Sequence, residues 1–181
     1  MSVRIIITGT PGTGKTKIAK ALAKLTGWEL VGLKEFINKH HLFSIKAKEK
    51  EVDIKKLARV LIPYLRQFNN YILEGHLACE IKLPADYVFV LRTDPKVLRK
   101  RLAKRKYSKE KLEENLMAEM LDYCSQRVEA VYKRAPLELD TTKRSPDHCA
   151  KIMLSAIKQR KKKLDVVNYT KELKTYLRLR K

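Results

Sequence analysis

The sequence has 181 residues, enough for one domain over 1–181 with a substantial core, and its 41 Lys and Arg against 20 Asp and Glu give a net charge of +21. No stretch approaches the roughly 18 apolar residues of a membrane span, and the first strand is too short for a signal peptide. We therefore expect a cytoplasmic protein that does not enter the membrane.

The excess of positive charge favours a polyanionic partner, above all RNA or an RNA–protein particle. The alternative is a lysine-rich, solvated surface of a heat-adapted protein, in which Lys and Glu usually rise together. The three cysteines, Cys79, Cys124 and Cys149, form no C-x-x-C pair. They predict reduced thiols rather than a zinc site.

The first informative stretch, residues 3–20, predicts a buried strand, a glycine-rich loop and the start of a helix. The loop carries the phosphate-binding pattern Gly9-x4-Gly14-Lys15-Thr16. Together with Gly12, Gly9 and Gly14 let successive backbone N–H groups converge on nucleotide phosphates at the positive end of the helix. Lys15 is expected to bridge the β- and γ-phosphates, and the Thr16 hydroxyl to ligate Mg²⁺.

The next segments show weaker patterns. Residues 27–33 predict a second strand between two glycines, and 34–41 predict a short helix. Residues 43–51 are charged and without periodicity. Residues 52–68 predict a helix with one broad apolar face, which Pro63 should kink or end.

The second informative stretch is Tyr71-Ile72-Leu73-Glu74-Gly75-His76. A strand ending in an acid puts a carboxylate at the edge where parallel sheets bind ligands. Glu74 can there hold Mg²⁺ through water, or simply pair with a nearby lysine. His76 can orient a water or the transferred phosphoryl group, or can be a structural, hydrogen-bonded residue.

Residues 85–91 predict another buried strand, and Asp94-Pro95 a helix start. Ten of the twenty residues in 92–111 are basic, which fits either a lid that closes over ATP or a solvated helix face. Ser108 should cap one long helix through about residue 133.

The remaining segments complete an alternating pattern. Residues 137–141 predict a fifth strand, Ser145-Pro146 begins a helix, and the basic extension 158–181 is a helix, a basic arm for RNA, or both. Five strands alternating with helices imply an α/β fold of the P-loop NTPase type, with a doubly wound parallel sheet and helices on both faces.

The chain resembles the P-loop nucleoside monophosphate kinases, and more narrowly the small CINAP-type adenylate kinases of archaea and eukaryotic nuclei. The resemblance runs from residue 3 to about 157. Its features are the opening I-I-I-T-G-T-P-G-T-G-K-T, the E-G-H at 74–76, the string V-F-V-L-R-T-D at 88–94, and R-K-Y at 105–107 where the family has a short R-G-Y lid.

This resemblance implies a nucleoside-monophosphate-binding segment at about 32–53 and a lid at about 104–114. It implies phosphoryl transfer from ATP to AMP-like nucleotides, with Mg²⁺. It also implies an ATPase in small ribosomal subunit and rRNA maturation that binds a ribosomal protein. The implied site residues are Gly12, Gly14, Lys15, Thr16 and the backbone of Lys17 for ATP, Arg105 as the lid arginine, and Lys143 or Arg144 near the adenine.

Three positions depart from the family pattern. Glu74 stands where aspartate is usual, Lys106 replaces the lid glycine, and Asn38 stands where an AMP-binding arginine is expected. The last weakens the expectation of efficient AMP phosphorylation. A basic RNA- or ribosome-binding assembly factor that uses ATP only as a switch is therefore the alternative. A regulatory GTPase is less favoured, because no Asn-Lys-x-Asp motif follows the phosphate loop.

Overall fold

The computed structural model describes residues 2–46, 49–105 and 107–178. None of the helices in that part of the chain is long and apolar enough to cross a bilayer. The strands are β1 (Arg4–Thr8), β2 (Glu29–Gly32), β3 (Ser44–Lys46), β4 (Glu49–Glu51), β5 (Tyr71–Glu74), β6 (Tyr87–Arg92) and β7 (Leu137–Asp140). The helices are α1 (Lys15–Thr26), α2 (Leu33–Lys39), α3 (Ile54–Leu65), α4 (Pro95–Ala103), α5 (Lys109–Met120), α6 (Tyr123–Tyr132), α7 (Pro146–Lys158) and α8 (Thr170–Arg178), with one 3₁₀ turn at His76–Cys79.

The main sheet has five parallel strands in the order β2-β5-β1-β6-β7. The central strand β1 pairs on both sides, with Ile6 opposite Leu73 of β5 and Val88 of β6. Because all five strands run the same way, their carboxyl ends meet at one edge, and the loops after β1, β5, β6 and β7 share it. The predicted fold class is confirmed.

Helices cover both faces of this sheet because successive strand residues point to opposite sides. Ile6 packs in a core with residues of α2, α3 and α6, whereas its neighbours Ile5 and Ile7 pack in a second core with α1 and α7. Ile5, Ile6 and Ile7 have no exposed surface. A β-branched run at this position therefore serves both cores at once.

The charged segment 43–51 contains a small antiparallel hairpin that the sequence did not indicate. Strands β3 and β4 pair Ser44 with Glu51 and Ile45 with Lys50. Each strand is only three residues long and has no apolar alternation, so the period-2 signal was missing. Helix α3 is shorter than the predicted 52–68, since it begins at Ile54 and ends at Leu65, two residues after Pro63.

The single helix predicted from Ser108 to about residue 133 is wrong. Ser108 does cap α5, accepting a hydrogen bond from the Lys111 N–H at 3.2 Å. The helix then stops after Met120, and Asp122 takes a left-handed conformation with φ of 55° before α6 begins. Arg92 explains the break, because its guanidinium donates both to the Glu119 carbonyl oxygen (3.0 Å) and to the Asp122 carboxylate.

The first part of the basic extension packs on the domain. The Asp165 N–H donates to the Glu138 carbonyl oxygen of β7 (3.1 Å), and the Asp165 carboxylate pairs with Arg144. Tyr169 is 7% exposed and lies over the Arg92 guanidinium, 5.2 Å from ring centroid to Cζ. Helix α8 then packs against α5 through Leu173. Residues 164–178 are thus tied to the sheet edge and to α5.

Candidate nucleotide-binding site

The glycine-rich loop joins β1 to α1 at the carboxyl edge of the sheet. Gly9, Gly12 and Gly14 have φ values of 137°, 98° and 100°, in the left-handed region that favours glycine. A Cβ on Gly9 would lie 2.5 Å from the Leu91 carbonyl oxygen of β6, so that position requires glycine for space as well. Gly14 precedes α1, whose first turn receives no side-chain cap. The backbone N–H groups of this first turn therefore have no side-chain acceptor and are available to an anion.

Lys15 is held inside this loop. Its Nζ donates to the carbonyl oxygens of Gly9 (2.8 Å) and Thr10 (3.0 Å), and the residue is 8% exposed. Burial lowers the pKa of Lys15; the charge of Glu74 opposes that shift and the charge of Arg105 adds to it. The ammonium is thus a desolvated cation at the point where nucleotide phosphates would lie.

Thr16 and Glu74 meet between α1 and β5. The Thr16 hydroxyl donates to Glu74 Oε1 at 3.0 Å, and Glu74 is 6% exposed. Burial raises the pKa of Glu74, while the Thr16 hydrogen bond and the charge of Lys15 oppose the rise. A hydroxyl beside a carboxylate is a hard oxygen pair of the kind that Mg²⁺ prefers.

The described residues contain no group of three or more His, Cys, Asp or Glu that could enclose a metal ion. That agrees with the way Mg²⁺ is usually bound in phosphoryl-transfer sites, through one or two protein oxygens, phosphates and retained waters. The Thr16 hydroxyl and the Glu74 carboxylate, 3.0 Å apart, supply two protein oxygens of this kind.

His76 opens the 3₁₀ turn directly after β5. Its carbonyl oxygen accepts from the Thr8 hydroxyl (3.2 Å) and from Cys79 Sγ (3.1 Å), so the backbone here is tied to the end of β1. His76 is an exposed residue by surface area, yet desolvation of its imidazole, with the charges of Lys15 and Lys111, lowers its pKa to about 4. The imidazole is therefore neutral at pH 7.

This pKa predicts the pH behaviour of His76. We expect its ring signals to titrate near pH 4 in the folded protein, and no inflection in ATP turnover between pH 6 and 8 to come from His76. Because the unfolded chain binds this proton near pH 6.5 and the folded chain only near 4, His76 lowers stability as pH falls through that window. An NMR titration, with His76→Asn to assign the signal, checks this; a midpoint near 6.5 would contradict it.

Several threonines that the sequence analysis did not select join the loop after β7 to the phosphate loop. The Thr141 hydroxyl donates to the Thr13 carbonyl oxygen (2.9 Å) and lies 2.7 Å from the Thr93 hydroxyl. Arg101 of α4 donates to the Thr141 carbonyl oxygen at 3.0 Å. The only local signal was a pair of threonines after a strand end, which many loops share.

Thr10 was also missed. Its residue is 2% exposed, and its hydroxyl oxygen is the buried side-chain oxygen in the described part of the chain that has no hydrogen-bond partner. Most buried hydroxyls are paired, so this oxygen is unusual. Thr10 lies in the phosphate loop, and its own carbonyl oxygen accepts the hydrogen bond from Lys15 Nζ.

The residues expected to contact the rest of the nucleotide lie on separate segments of the chain. Arg105 is exposed after α4, where its N–H donates to the Leu102 carbonyl oxygen (2.8 Å), and Lys106 lies outside the described residues. Lys143 is exposed, whereas Arg144 is engaged by Asp165. The roles assigned to Arg105 and Lys143 stay predictions.

Asn38, which stands where an arginine was expected, is also engaged. Its Oδ1 accepts a hydrogen bond from Lys50 Nζ at 2.9 Å. The same ammonium lies 4.0 Å from the centroid of the Phe43 ring. The Asn38 side chain is therefore held by a lysine of β4.

Comparison with known proteins identifies the family. A family model described as an AAA domain matches residues 5–122. A protein of Methanocaldococcus jannaschii is 35% identical over 98% of each chain, and one of Pyrococcus abyssi is 38% identical over 97% of each chain. Both bear the name "Putative adenylate kinase". The chain belongs to this adenylate-kinase-like P-loop family. The resemblance drawn from its motifs is confirmed.

Solved P-loop kinases share the fold of this adenylate-kinase-like chain. Shikimate kinase from Acinetobacter baumannii in complex with shikimate has a TM-score of 0.65 at 20% identity, with 89% of this chain and 96% of that chain covered. Deoxyadenosine kinase from M. mycoides has a TM-score of 0.57 at 18% identity, with 87% of this chain and all of that chain covered. At such identities the likeness shows the fold alone.

Proposed function

We propose that the protein transfers phosphoryl groups from ATP to a nucleoside monophosphate, in the manner of an adenylate kinase, and that it also hydrolyses ATP. The observation that carries this proposal is the meeting of Lys15, Thr16 and Glu74 at one edge of the sheet, with the hydroxyl and carboxylate 3.0 Å apart. The archaeal relatives named as adenylate kinases and the kinase fold of the solved neighbours support the same reaction type.

Each residue has a role in positioning or in charge stabilisation, and no covalent intermediate with the protein is needed. The N–H groups of the phosphate loop and the ammonium of Lys15 would hold the β- and γ-phosphates. Thr16 would ligate Mg²⁺, and Glu74 would order its waters. The bound ion would neutralise charge on the phosphate oxygens. Arg105 would move in when the segment 104–114 closes.

Two further residues complete the proposed site. His76 is neutral at pH 7, so it would orient a water or the transferred group by hydrogen bonding rather than by charge. Lys143, which is exposed on the loop after β7, would lie near the adenine. The backbone N–H of Lys17 would contribute to phosphate binding.

We also propose a role in small ribosomal subunit maturation, with a ribosomal protein or rRNA as partner. The net charge of +21 supports it, since a nucleotide site needs only a few cations. The second candidate function, an assembly factor that uses ATP as a switch, is favoured by one observation. Asn38 stands where an AMP-binding arginine was expected, and its side chain accepts a hydrogen bond from Lys50.

ATP turnover measured with and without AMP separates the two functions. For the proposed kinase we expect ADP formation to rise sharply when AMP is added, with two ADP for each ATP consumed in the AMP-dependent reaction, above a slow AMP-independent release of phosphate from hydrolysis. We expect Glu74→Gln, which keeps an acceptor for Thr16 and removes the charge, to lower this rate by about 10–100-fold. Phosphate release that ignores AMP and responds to a small-subunit component would support the switch instead. If the protein showed neither AMP-dependent ADP formation nor ATP hydrolysis, the proposal would be contradicted.

A further inference from the structure

The segment 158–163 is a run of cations with no acid among them. It reads Lys158-Gln159-Arg160-Lys161-Lys162-Lys163, and all six residues are exposed. Helix α7 ends here, with the Lys161 N–H donating to the Ala156 carbonyl oxygen at 2.9 Å. We call residues 158–163 the basic edge.

The basic edge lies at the opposite end of the sheet from the nucleotide site. The Tyr87 hydroxyl, at the first residue of β6, donates to the Ile157 carbonyl oxygen at 3.2 Å. Strand β6 then runs through Arg92 to the edge that holds the phosphate loop. At about 3.3 Å per residue, that strand separates the two by roughly 17 Å. A molecule bound at the basic edge would leave the nucleotide site open.

Other cations join this end of the molecule. Lys133 and Arg134, both exposed, follow α6, and Arg134 donates to the carbonyl oxygens of Asp86 (3.1 Å) and Ala85 (2.9 Å) just before β6. Of the acids at this end, Asp86 is already paired with Arg4 at 2.9 Å, and Glu29 begins β2 at the far edge of the sheet. Positive charge therefore dominates this end of the sheet.

A groove of about 320 Å³ between α1 and α7 adjoins the basic edge. Leu25 and Leu154 supply its apolar part, Ser155 and Gln159 its hydrogen-bonding groups, and Lys151 and Lys158 its charge. Leu25 is 47% exposed. The groove thus places a small apolar surface beside cations of the kind that contact phosphates.

The dipole of helix α7 explains the position of only some of these cations. Cations at a helix C-terminus are favourable, but the effect falls off within the last turn. It applies to Lys158 and not to the cations that follow α7. Nor do these residues provide the fixed arginine forks that bind carboxylates bidentately, since four of the five cations are lysines.

We propose that the basic edge and the adjoining groove bind the phosphate backbone of single-stranded RNA. Lysines act as compact charges toward phosphates and do not require one geometry, which suits a flexible strand. The proposal extends the ribosomal role suggested above by naming a surface. RNA binding and ATP turnover are measured separately, so either can fail while the other stands.

The test measures binding of a fluorescently labelled, unstructured 20-nucleotide RNA by anisotropy at several salt concentrations. The variant is Lys161→Glu/Lys162→Glu/Lys163→Glu, in an exposed loop outside the helices. The matched control is Lys55→Glu/Lys56→Glu/Arg59→Glu on the exposed face of α3, which changes the net charge equally. Circular dichroism verifies both folds, and ATP turnover is followed for the basic-edge variant.

We expect the basic-edge variant to bind at least tenfold more weakly, with its salt slope reduced by about 2, while the α3 variant changes less than threefold. We expect ATP turnover of the basic-edge variant to stay at the wild-type rate. Equal losses in both variants would mean that net charge alone attracts RNA and would overturn the proposal. A competition experiment gives a second contradicting outcome. If polyglutamate displaced the labelled RNA as effectively as unlabelled RNA of equal charge, the basic edge would fit an acidic protein partner instead, and the proposal would be overturned.

Discussion

Replacing Lys15 with methionine is expected to lower ATP turnover by about 10²–10³-fold, because a preorganised charge at the phosphates is lost. Stability should change little, by at most about 2 kcal/mol. The loss of two hydrogen bonds to Gly9 and Thr10 is offset by removal of a desolvated charge, and methionine has a similar length. Turnover assays and thermal unfolding of the same preparation measure both effects.

Lys24→Met is the matched control, since Lys24 is an exposed lysine near the end of the same helix. We expect it to retain wild-type turnover and stability. If Lys15→Met kept wild-type turnover, the nucleotide site would not be where the phosphate loop is, and the proposed function would fail. If Lys15→Met unfolded the protein, the lysine would be structural rather than catalytic.

Replacing Arg92 with alanine is expected to destabilise the protein by about 3–5 kcal/mol, because it leaves a buried carboxylate unpaired. Arg92 is 2% exposed, and its guanidinium contacts Glu119 (3.1 Å), Glu138 (2.6 Å) and Asp122. Burial alone would lower the pKa of Arg92, but the three carboxylates raise it above the ordinary value. Urea unfolding of wild type and variant gives the difference in free energy.

Arg99→Ala is the control for this prediction. Arg99 pairs with Glu113 at 2.7 Å, but its side chain is 47% exposed, so the loss should stay below about 1 kcal/mol. A second variant, Arg92→Met combined with Glu119→Leu, removes both buried charges and should recover part of the stability. Equal effects of Arg92→Ala and Arg99→Ala would contradict the assignment of Arg92 to the core.

The break between α5 and α6 follows from the same arginine. The sequence places apolar residues at helical spacing on both sides of Leu121, so periodicity predicts one helix. The bonds from Arg92 to the Glu119 carbonyl oxygen and the Asp122 carboxylate join groups 27 and 30 residues apart along the chain. A local pattern cannot register such a partner. The hairpin at 44–51 escaped prediction for a different reason, because its strands are too short to show a period.

The sequence alone determined the alternation of strands and helices, the phosphate loop at 9–16 and the acid that ends β5. These features depend on residues close together in the chain, where side-chain period, glycine conformations and cap residues act locally. Tertiary structure alone decided that Arg92 is buried among carboxylates while most other described cations are exposed. It also decided that Thr141 bonds the phosphate loop 128 residues away. Whether a charged or polar group is solvated or buried depends on its partners, and folding supplies those partners from distant parts of the chain.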